Sequence, residues 1–436
     1  MRGLWQLKWA DIRQIYRNAH LLYREKTSRS KGKVMSKKQF IFTPEQIELL
    51  KKQQFSDTEP GTLLKDFNSL LAFIGKQGIA VSEKTQLFAM NTLADLNQLL
   101  THPLEIKLKR PAQKSLPPIN ALYLLLRSSG LGYIASHGKK SKLMLNEEIL
   151  ADWKQLTPTE CYFSLLQAFV YRATGEMVGE RAGYDSCFRN CLSFFWYKLN
   201  KEIAIDPNIR HGLRFTPGLH NLALMELFGF IATKYTADEN EIWPLSSIKP
   251  TDWGLTIFGY LMQNNFIDLF FEDDAELSAW EAGIKKQLPA WKKSLRQPEH
   301  KIIKEGAYIF NVSLGGASCK LGVPAKLSLE YLAFDILSAF NFDNDHLYEF
   351  IYKNQYGVEE RIAHPYMDDA KFYADERTVG ELPLYKGMTL VFHFDFGDNW
   401  EFNIQVEAMP SAELNFTELT VIEKRGTPPK QYSDWS

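Results

Sequence analysis

The residues best placed to do chemistry lie near the C-terminal end. Asp343, Asp345, His346 and Glu349 fall at an expected helix-to-strand junction, and His393, Asp395, Asp398 and Glu401 surround an expected hairpin tip. If the two tips meet, imidazole and carboxylates together could hold a divalent cation. Carboxylates suit Mg²⁺ or Mn²⁺ and imidazole suits Zn²⁺, and carboxylates with a metal can carry phosphoryl chemistry. The plainer reading is structural. Asp343 and Asp345 would cap a turn, Asp398 would shape the hairpin loop and Trp400 would cover the core edge.

A second group is cationic. Between 102 and 142 stand Lys107, Lys109, Arg110, Lys114, Arg127, Lys139, Lys140 and Lys142 against the single acid Glu105, a local net charge of +7. Such a face suits the phosphates of DNA or RNA, although charge supplies affinity for polyanions and not the identity of the partner. A third group is the pair Cys187 and Cys191, one helical turn apart, which is half of a zinc site by spacing. No second Cys or His pair with matching spacing follows, so the pair reads as buried, inert thiols. No phosphate-binding glycine loop, nucleophile elbow or zincin histidine pair is present.

The elements that must position these residues can be read from periodicity and caps. Thr43-Pro44-Glu45-Gln46 and Thr157-Pro158-Thr159-Glu160 both have the form of a capping box with proline at the first helical position. Amphipathic spacing predicts helices over 62–76, 83–100, 118–127, 184–204 and 251–262. The helix at 118–127, broken by Gly130 and Gly132, precedes Tyr133-Ile134-Ala135 and Leu143-Met144-Leu145, which flank the basic tip His137–Lys142. A helix followed by a basic-tipped hairpin is the end of a winged-helix unit, whose helix enters a groove while the wing touches phosphate. The same order recurs over 218–262 with the acidic tip Thr236–Glu241, which phosphate would avoid and a protein partner would suit.

The chain has 436 residues, 45% hydrophobic and 24% charged, with a net charge of −1. That composition excludes wholesale disorder, and the length suggests two to four domains. No apolar run reaches the ~18 residues of a bilayer span, so no membrane role is expected. Four cysteines are too few for a disulfide scaffold, which points to a reducing, cytoplasmic setting. Residues 1–40 hold eleven Lys or Arg and two acids, a basic leader expected to be partly disordered, with a polypeptide-like start at Met35. Acids dominate elsewhere: ten against one base over 235–281, and fifteen against five over 341–413.

In the last third, Tyr308–Leu314 alternates as a strand and Ser328 caps a helix. Met388–Phe396 and Trp400–Glu407 agree on register as an antiparallel hairpin turned by Gly397-Asp398-Asn399. Two stretches here are specific: Phe340-Asn341-Phe342-Asp343-Asn344-Asp345-His346-Leu347-Tyr348-Glu349-Phe350 and Phe394-Asp395-Phe396-Gly397-Asp398-Asn399-Trp400-Glu401. With the closing Gly426-Thr427-Pro428-Pro429-Lys430-Gln431-Tyr432, they resemble the plasmid pRiA4b ORF-3-like family over roughly 305–436. One departure is Cys319-Lys320, where many members carry Trp-Arg. The resemblance implies a small α+β sheet module and a plasmid-related setting.

These readings combine into an α+β multidomain chain. Its expected parts are a leader at 1–34, a winged-helix-like domain with a basic wing at 35–170, a second with an acidic wing at 171–281, a linker at 282–304 and the module at 305–436. The expected function is that of an intracellular binding protein, with DNA or RNA on the basic face and a protein or ligand on the acidic module. The alternative from another class is a metal-dependent hydrolase or nuclease built on the carboxylate and histidine cluster. No particular cofactor is indicated.

Overall fold

The computed structural model describes residues 42–137, 140–180, 187–199, 201–236, 243–262, 279–300, 302–368, 370–411, 414 and 416–432. The expected leader lies outside them, as do Lys139 and residues 237–241 of the expected acidic tip. Helices and antiparallel sheets make this an α+β protein. Among the described residues no helix is long and apolar enough to cross a membrane.

The N-terminal body begins with α1 (Pro44–Lys52), whose capping box forms as its residues require: the Gln46 N–H donates to Thr43 Oγ1 and the Thr43 N–H to Gln46 Oε1. Then follow α2 (Leu63–Ile74), β1 (Ile79–Val81), α3 (Met90–Gln98), α4 (Pro117–Ser128), β2 (Gly132–His137) and β3 (Lys140–Leu145). The helix expected from 83 starts only at Met90, because the Gln86 N–H donates back to the Ser82 carbonyl and closes a turn first. α5 (Glu147–Trp153) and α6 (Pro158–Arg172) lead to α7 (Cys187–Lys198), β4 (Ile203–Ala204), α8 (Pro207–Leu213), α9 (Leu219–Leu227), β5 (Ile231–Tyr235), β6 (Leu245–Pro250) and α10 (Asp252–Met262).

Two segments of this body therefore share one order of elements: helix, strand, helix, helix, strand, strand. Their three-stranded sheets also share one strand order, β1-β3-β2 in the first and β4-β6-β5 in the second. The third helices of the two segments, α4 and α9, pack directly against each other. Leu122, Leu124, Leu125 and Leu126 of α4 and Leu222, Ala223, Leu224 and Met225 of α9 are fully buried. One apolar cluster runs from Phe42 to Leu295, and the expected boundary between 170 and 171 falls inside α6. The connector is packed as well as connecting: α11 (Ala279–Gln287) and the chain after it bury Trp280, Ile284, Leu288, Trp291 and Leu295 in that cluster. Trp291 stacks on Phe163 at 4.3 Å between ring centres.

The C-terminal module is a seven-stranded antiparallel sheet with strand order β10-β9-β11-β12-β7-β8-β13. Its strands are β7 (Ala307–Leu314), β8 (Ala317–Pro324), β9 (Tyr348–Lys353), β10 (Glu359–Ala363), β11 (Thr389–Phe394), β12 (Trp400–Ala408) and β13 (Thr420–Arg425). α12 (Leu329–Ala339) is capped by Ser328 and lays Leu329, Leu332, Ala333, Ile336 and Leu337 on one sheet face. There they meet Phe350, Phe392, Phe402 and Ile404, inward at every second position as period-two patterning requires. The Lys424 ammonium donates to the Ala339 carbonyl at 2.6 Å, closing the helix C-terminus with a cation. Phe396 departs from the expected alternation and is exposed, because Asp395 takes a left-handed φ of 56° that ends the strand.

The module has its own apolar cluster, and one hairpin crosses between bodies. The tip between β9 and β10 enters the N-terminal body, where Val358 joins the first cluster and Tyr356 packs against it.

Candidate functional site

The chain positions the expected polar residues by ending two strands and one helix at the same end of the sheet. After α12, Asn341 adopts φ 59° and Phe342 turns inward, meeting Trp400 edge-on at 5.1 Å. That anchor leaves Asp343 to Leu347 to cross the sheet end. The hairpin tip meets this crossing: the Asp395 N–H donates to the Leu347 carbonyl at 3.0 Å. His346 Nε2 stands 3.5 Å from Asp395 Oδ2 and 3.8 Å from Asp345 Oδ1. The two tips, whose meeting the sequence left as a condition, thus come together.

The C-terminal tail completes this first set. The Gln431 side chain is buried and brackets the Asp343 peptide, accepting from its N–H and donating to its carbonyl at 3.2 Å. Gln431 Nε2 also donates to Asp345 Oδ1 at 3.1 Å, and the Tyr432 hydroxyl donates to Asp345 Oδ2. Burial, the Asp345 hydrogen bond and the Asp343 and Asp395 charges all push the Tyr432 phenol upward, so it remains a donor at neutral pH. Asp395 is buried and spends Oδ1 on the N–H groups of Gly397 (2.9 Å) and Asp398 (3.4 Å), the turn-shaping work of an aspartate. The Asp398 and Glu401 side chains are exposed beside it.

Glu349 and His393 belong to a second set, on the sheet face opposite α12. They are cross-strand partners in the β9–β11 register, and His393 Nδ1 lies 3.4 Å from Glu349 Oε1. Arg361 of β10 donates to the same carboxylate oxygen and to Glu359 at 2.7 Å. Burial works against the Arg361 charge, but the Glu359 and Glu349 carboxylates outweigh it and raise its pKa. His393 Nε2 is buried with no hydrogen-bond partner, and its ring meets Phe396 edge-on at 4.9 Å. The eight expected residues are thus divided between a sheet end and a sheet face. Among the described residues no group of three or more His, Cys, Asp or Glu side chains stands close enough together to hold a metal ion.

The cationic set fares differently from expectation. Arg127, expected on a nucleic-acid face, is 2% exposed and lies at the seam between the two bodies. It donates to the Tyr123 hydroxyl at 3.2 Å and to the Tyr356 carbonyl at 2.9 Å. The physical reason is that α4 is the core helix shared by both segments, so its whole circumference is enclosed. Lys114 is held by Glu180 at 3.0 Å and by the Gly179 carbonyl at 2.7 Å. Lys107 pairs with Glu105, and Lys142 donates to the Gln77 carbonyl at 3.3 Å. Lys109 and Arg110 are exposed on the loop before α4, and Lys140 takes its place in β3 opposite His137.

The cysteines are all free and buried. Burial first, then Glu180, pushes the Cys187 thiol up to about 12, and its sulfur faces His220 Nε2 at 3.8 Å. Cys191 instead donates to the Asn221 carbonyl at 3.6 Å. Gln431, Tyr432 and Arg361, which organise the two polar sets, were not among the expected site residues. Their signals are weak: one amide in a polar tail, and one arginine that alternates outward on an edge strand. Lys320, in the position of the family's usual arginine, pairs with Glu407 at 2.8 Å.

Residues 312–433 match the family described as "Plasmid pRiA4b ORF-3-like protein". No curated protein matches the chain. Among solved structures, a crystal structure of a protein of unknown function, MM3350 from Methanosarcina mazei Go1, is similar at 20% identity. It covers 28% of this chain and 71% of its own, with a TM-score of 0.24.

Proposed function

We propose that this chain is a binding protein without catalytic chemistry, and that the acidic sheet end of its C-terminal module docks a cationic segment of a partner protein. The observation that carries this reading is the make-up of the sheet end. Asp345, Asp398 and Glu401 are exposed there together with Leu347, Phe396 and Tyr432. Carboxylates attract Lys and Arg side chains and set on-rate and register, while exposed aromatic rings add cation–π and apolar contact. The bracket of Gln431 around the Asp343 peptide holds the patch in shape, which reduces the entropy lost on binding.

The N-terminal body serves in this reading as a scaffold of two winged-helix units joined through their third helices. What supports it is the shared element order and the shared strand order of the two three-stranded sheets. With those helices turned toward each other, neither reads a DNA groove. A nucleic-acid role is then restricted to phosphate contact by the exposed loop carrying Lys107, Lys109 and Arg110, with the wing at 137–142. That second reading rests on the exposure of Lys109 and Arg110.

The test uses a lysine- and arginine-rich peptide of about 20 residues, titrated over a salt series. Binding that falls with salt and weakens about tenfold in an Asp345→Asn, Asp398→Asn, Glu401→Gln variant supports docking at the sheet end. Binding unchanged by the triple substitution overturns it. Duplex DNA in parallel, with Lys109→Ala, Arg110→Ala, tests the second reading.

A further inference from the structure

The seam between the two bodies holds two guanidinium groups that form no ion pair among the described residues, although the Glu281 charge bears on Arg172 from farther off. Arg127 is almost fully enclosed, yet its hydrogen bonds go only to a phenol and a main-chain carbonyl, and its Nε has no partner. Arg172, at the end of α6, donates from Nε to the Ser128 carbonyl at 2.8 Å, and its buried Nη2 has no partner. Among the described residues neither forms an ion pair with a carboxylate. Enclosing such a charge without a paired anion is unfavourable, and planar guanidinium forks are shaped to bind an oxyanion through paired N–H donors.

What fills the position of the anion is the tip of the β9–β10 hairpin. The Tyr356 carbonyl accepts from Arg127, and the Tyr356 ring lies 5.7 Å from the Arg172 guanidinium carbon. The Tyr356 hydroxyl donates to Gln297 at 2.6 Å. Gly357 follows at φ 71°, and a Cβ there would stand 2.8 Å from Arg127 Nη2. The fit is close, and across the same seam Glu176 is set near Glu359. Burial and that like charge raise the Glu176 pKa, with Arg361 opposing. Shape, not charge balance, holds the hairpin in place.

We propose that Arg127 and Arg172 form a phosphate-binding site at the seam between the two bodies, and that the Tyr356-Gly357 tip is a plug that competes with phosphate for it. A neutral carbonyl and a ring satisfy the two cations only in part. A phosphate dianion supplies the missing charge and acceptors, so its binding opens the seam and releases the module from the N-terminal body. This site is separate from the acidic sheet end, and the charge substitutions at Asp345, Asp398 and Glu401 leave it intact.

The experiment is calorimetric titration of the full chain with inorganic phosphate at constant ionic strength, with chloride as control. Small-angle scattering at each end point reports the separation of the bodies. Wild type should bind phosphate and expand on binding. Arg127→Gln and Arg172→Gln should each weaken binding about tenfold or more, the loss of paired charge-assisted donors. Tyr356→Ala, which removes the plug's ring from Arg172 and its hydroxyl from Gln297, should bind more tightly than wild type and be expanded without phosphate. Arg172 lies at a helix end, so its variant serves where Arg127→Gln fails to fold. No binding to wild type and to Tyr356→Ala, unchanged affinity in Arg172→Gln, or weaker binding in Tyr356→Ala would overturn the proposal. A free mononucleotide arm separates phosphate as such from a nucleotide: equal affinity means the site takes the phosphate group alone.

Discussion

In the N-terminal body several cations of the basic segment turn inward or to local partners, while Lys109 and Arg110 stay exposed. Arg127 is enclosed at the seam, Lys114 is tied to Glu180 and Gly179, and Lys142 caps the Gln77 carbonyl. In the C-terminal module the acids divide. Asp395 and Glu349 are buried and work on turn and sheet, while Asp343, Asp345, Asp398 and Glu401 stay in water. The charge of a segment is therefore a poor guide to the charge of a surface. A cation on a helix that must be buried on all sides is used by the fold, and so is an acid whose carboxylate closes a turn or meets a cross-strand cation, as those of Asp395 and Glu349 do.

The comparison is broken most strongly by testing whether each body unfolds alone. Leu124 sits on α4 with no exposure, where the two repeated segments meet. Leu124→Ala should cost about 3–5 kcal/mol, a transfer loss plus a cavity. Phe392, equally enclosed in the module sheet, should cost about 3–5 kcal/mol as Phe392→Ala. Denaturant melts should show each variant shifting one transition, with fluorescence and far-UV signals separating. Both variants shifting one common transition by the same amount would mean that the seam couples the bodies into one unit.

Acid should distinguish the bodies next. Burial pulls His220, beside Cys187 in the N-terminal body, down to about 4 from 6.5, with Glu180 opposing the shift. The folded state therefore binds the proton less readily than the unfolded chain. Stability from this group is full above about 6.5 and is lost as pH falls toward 4, up to about 3 kcal/mol in all. A stability–pH curve should slope downward over that window, and His220→Asn should flatten it. A slope retained in the variant would assign the acid sensitivity elsewhere.

Much of this architecture was legible in the sequence, and the part that was not has one cause. Both threonine capping boxes, the 118–127 helix, the paired strands that follow it and the β11–β12 hairpin depend on contacts within a few residues, and they formed close to where pattern and cap chemistry placed them; the pairing of β2 with β3 takes in His137 and Lys140–Lys142, which the pattern assigns to the tip. The meeting of the 343–346 and 395–398 segments was left as a condition, because the β9–β11 pairing that brings them to one sheet end is long-range. Long-range packing was not. Nothing local says that α4 and α9 face each other, so Arg127 read as a surface cation. Nothing local says that Trp280 and Trp291 fold the connector onto α6, or that the tail returns Gln431 to the Asp343 peptide. Apolar helices carry the same stripe whether they face a ligand, a solvent-shielded core or each other.

Gln431 gives a finer probe of the module's open end. Its amide makes three of the contacts that hold the Asp343–Asp345 crossing, and it is buried. Gln431→Ala leaves the Asp343 peptide without its bracket and should cost about 1–2 kcal/mol of module stability. The apolar core is untouched, so the N-terminal transition should stay in place. Amide exchange over 341–347 should quicken more than exchange in β11.

The smallest effect is expected on the sheet face. The Arg361–Glu349 pair joins a half-exposed guanidinium to a carboxylate that is 7% exposed, with His393 3.4 Å from the same oxygen. Arg361→Ala removes one exposed partner and should cost about 0.5–1 kcal/mol, because solvent already screens its end of the pair. Glu349→Ala should cost more, since it strands His393, whose other ring nitrogen is buried without a partner. If the two substitutions cost the same, His393 draws nothing from Glu349, and the second polar set is a surface ion pair alone. If Glu349→Ala is the costlier, a double substitution of Glu349 and His393 should recover part of the loss, because no buried donor is then left facing a missing acceptor.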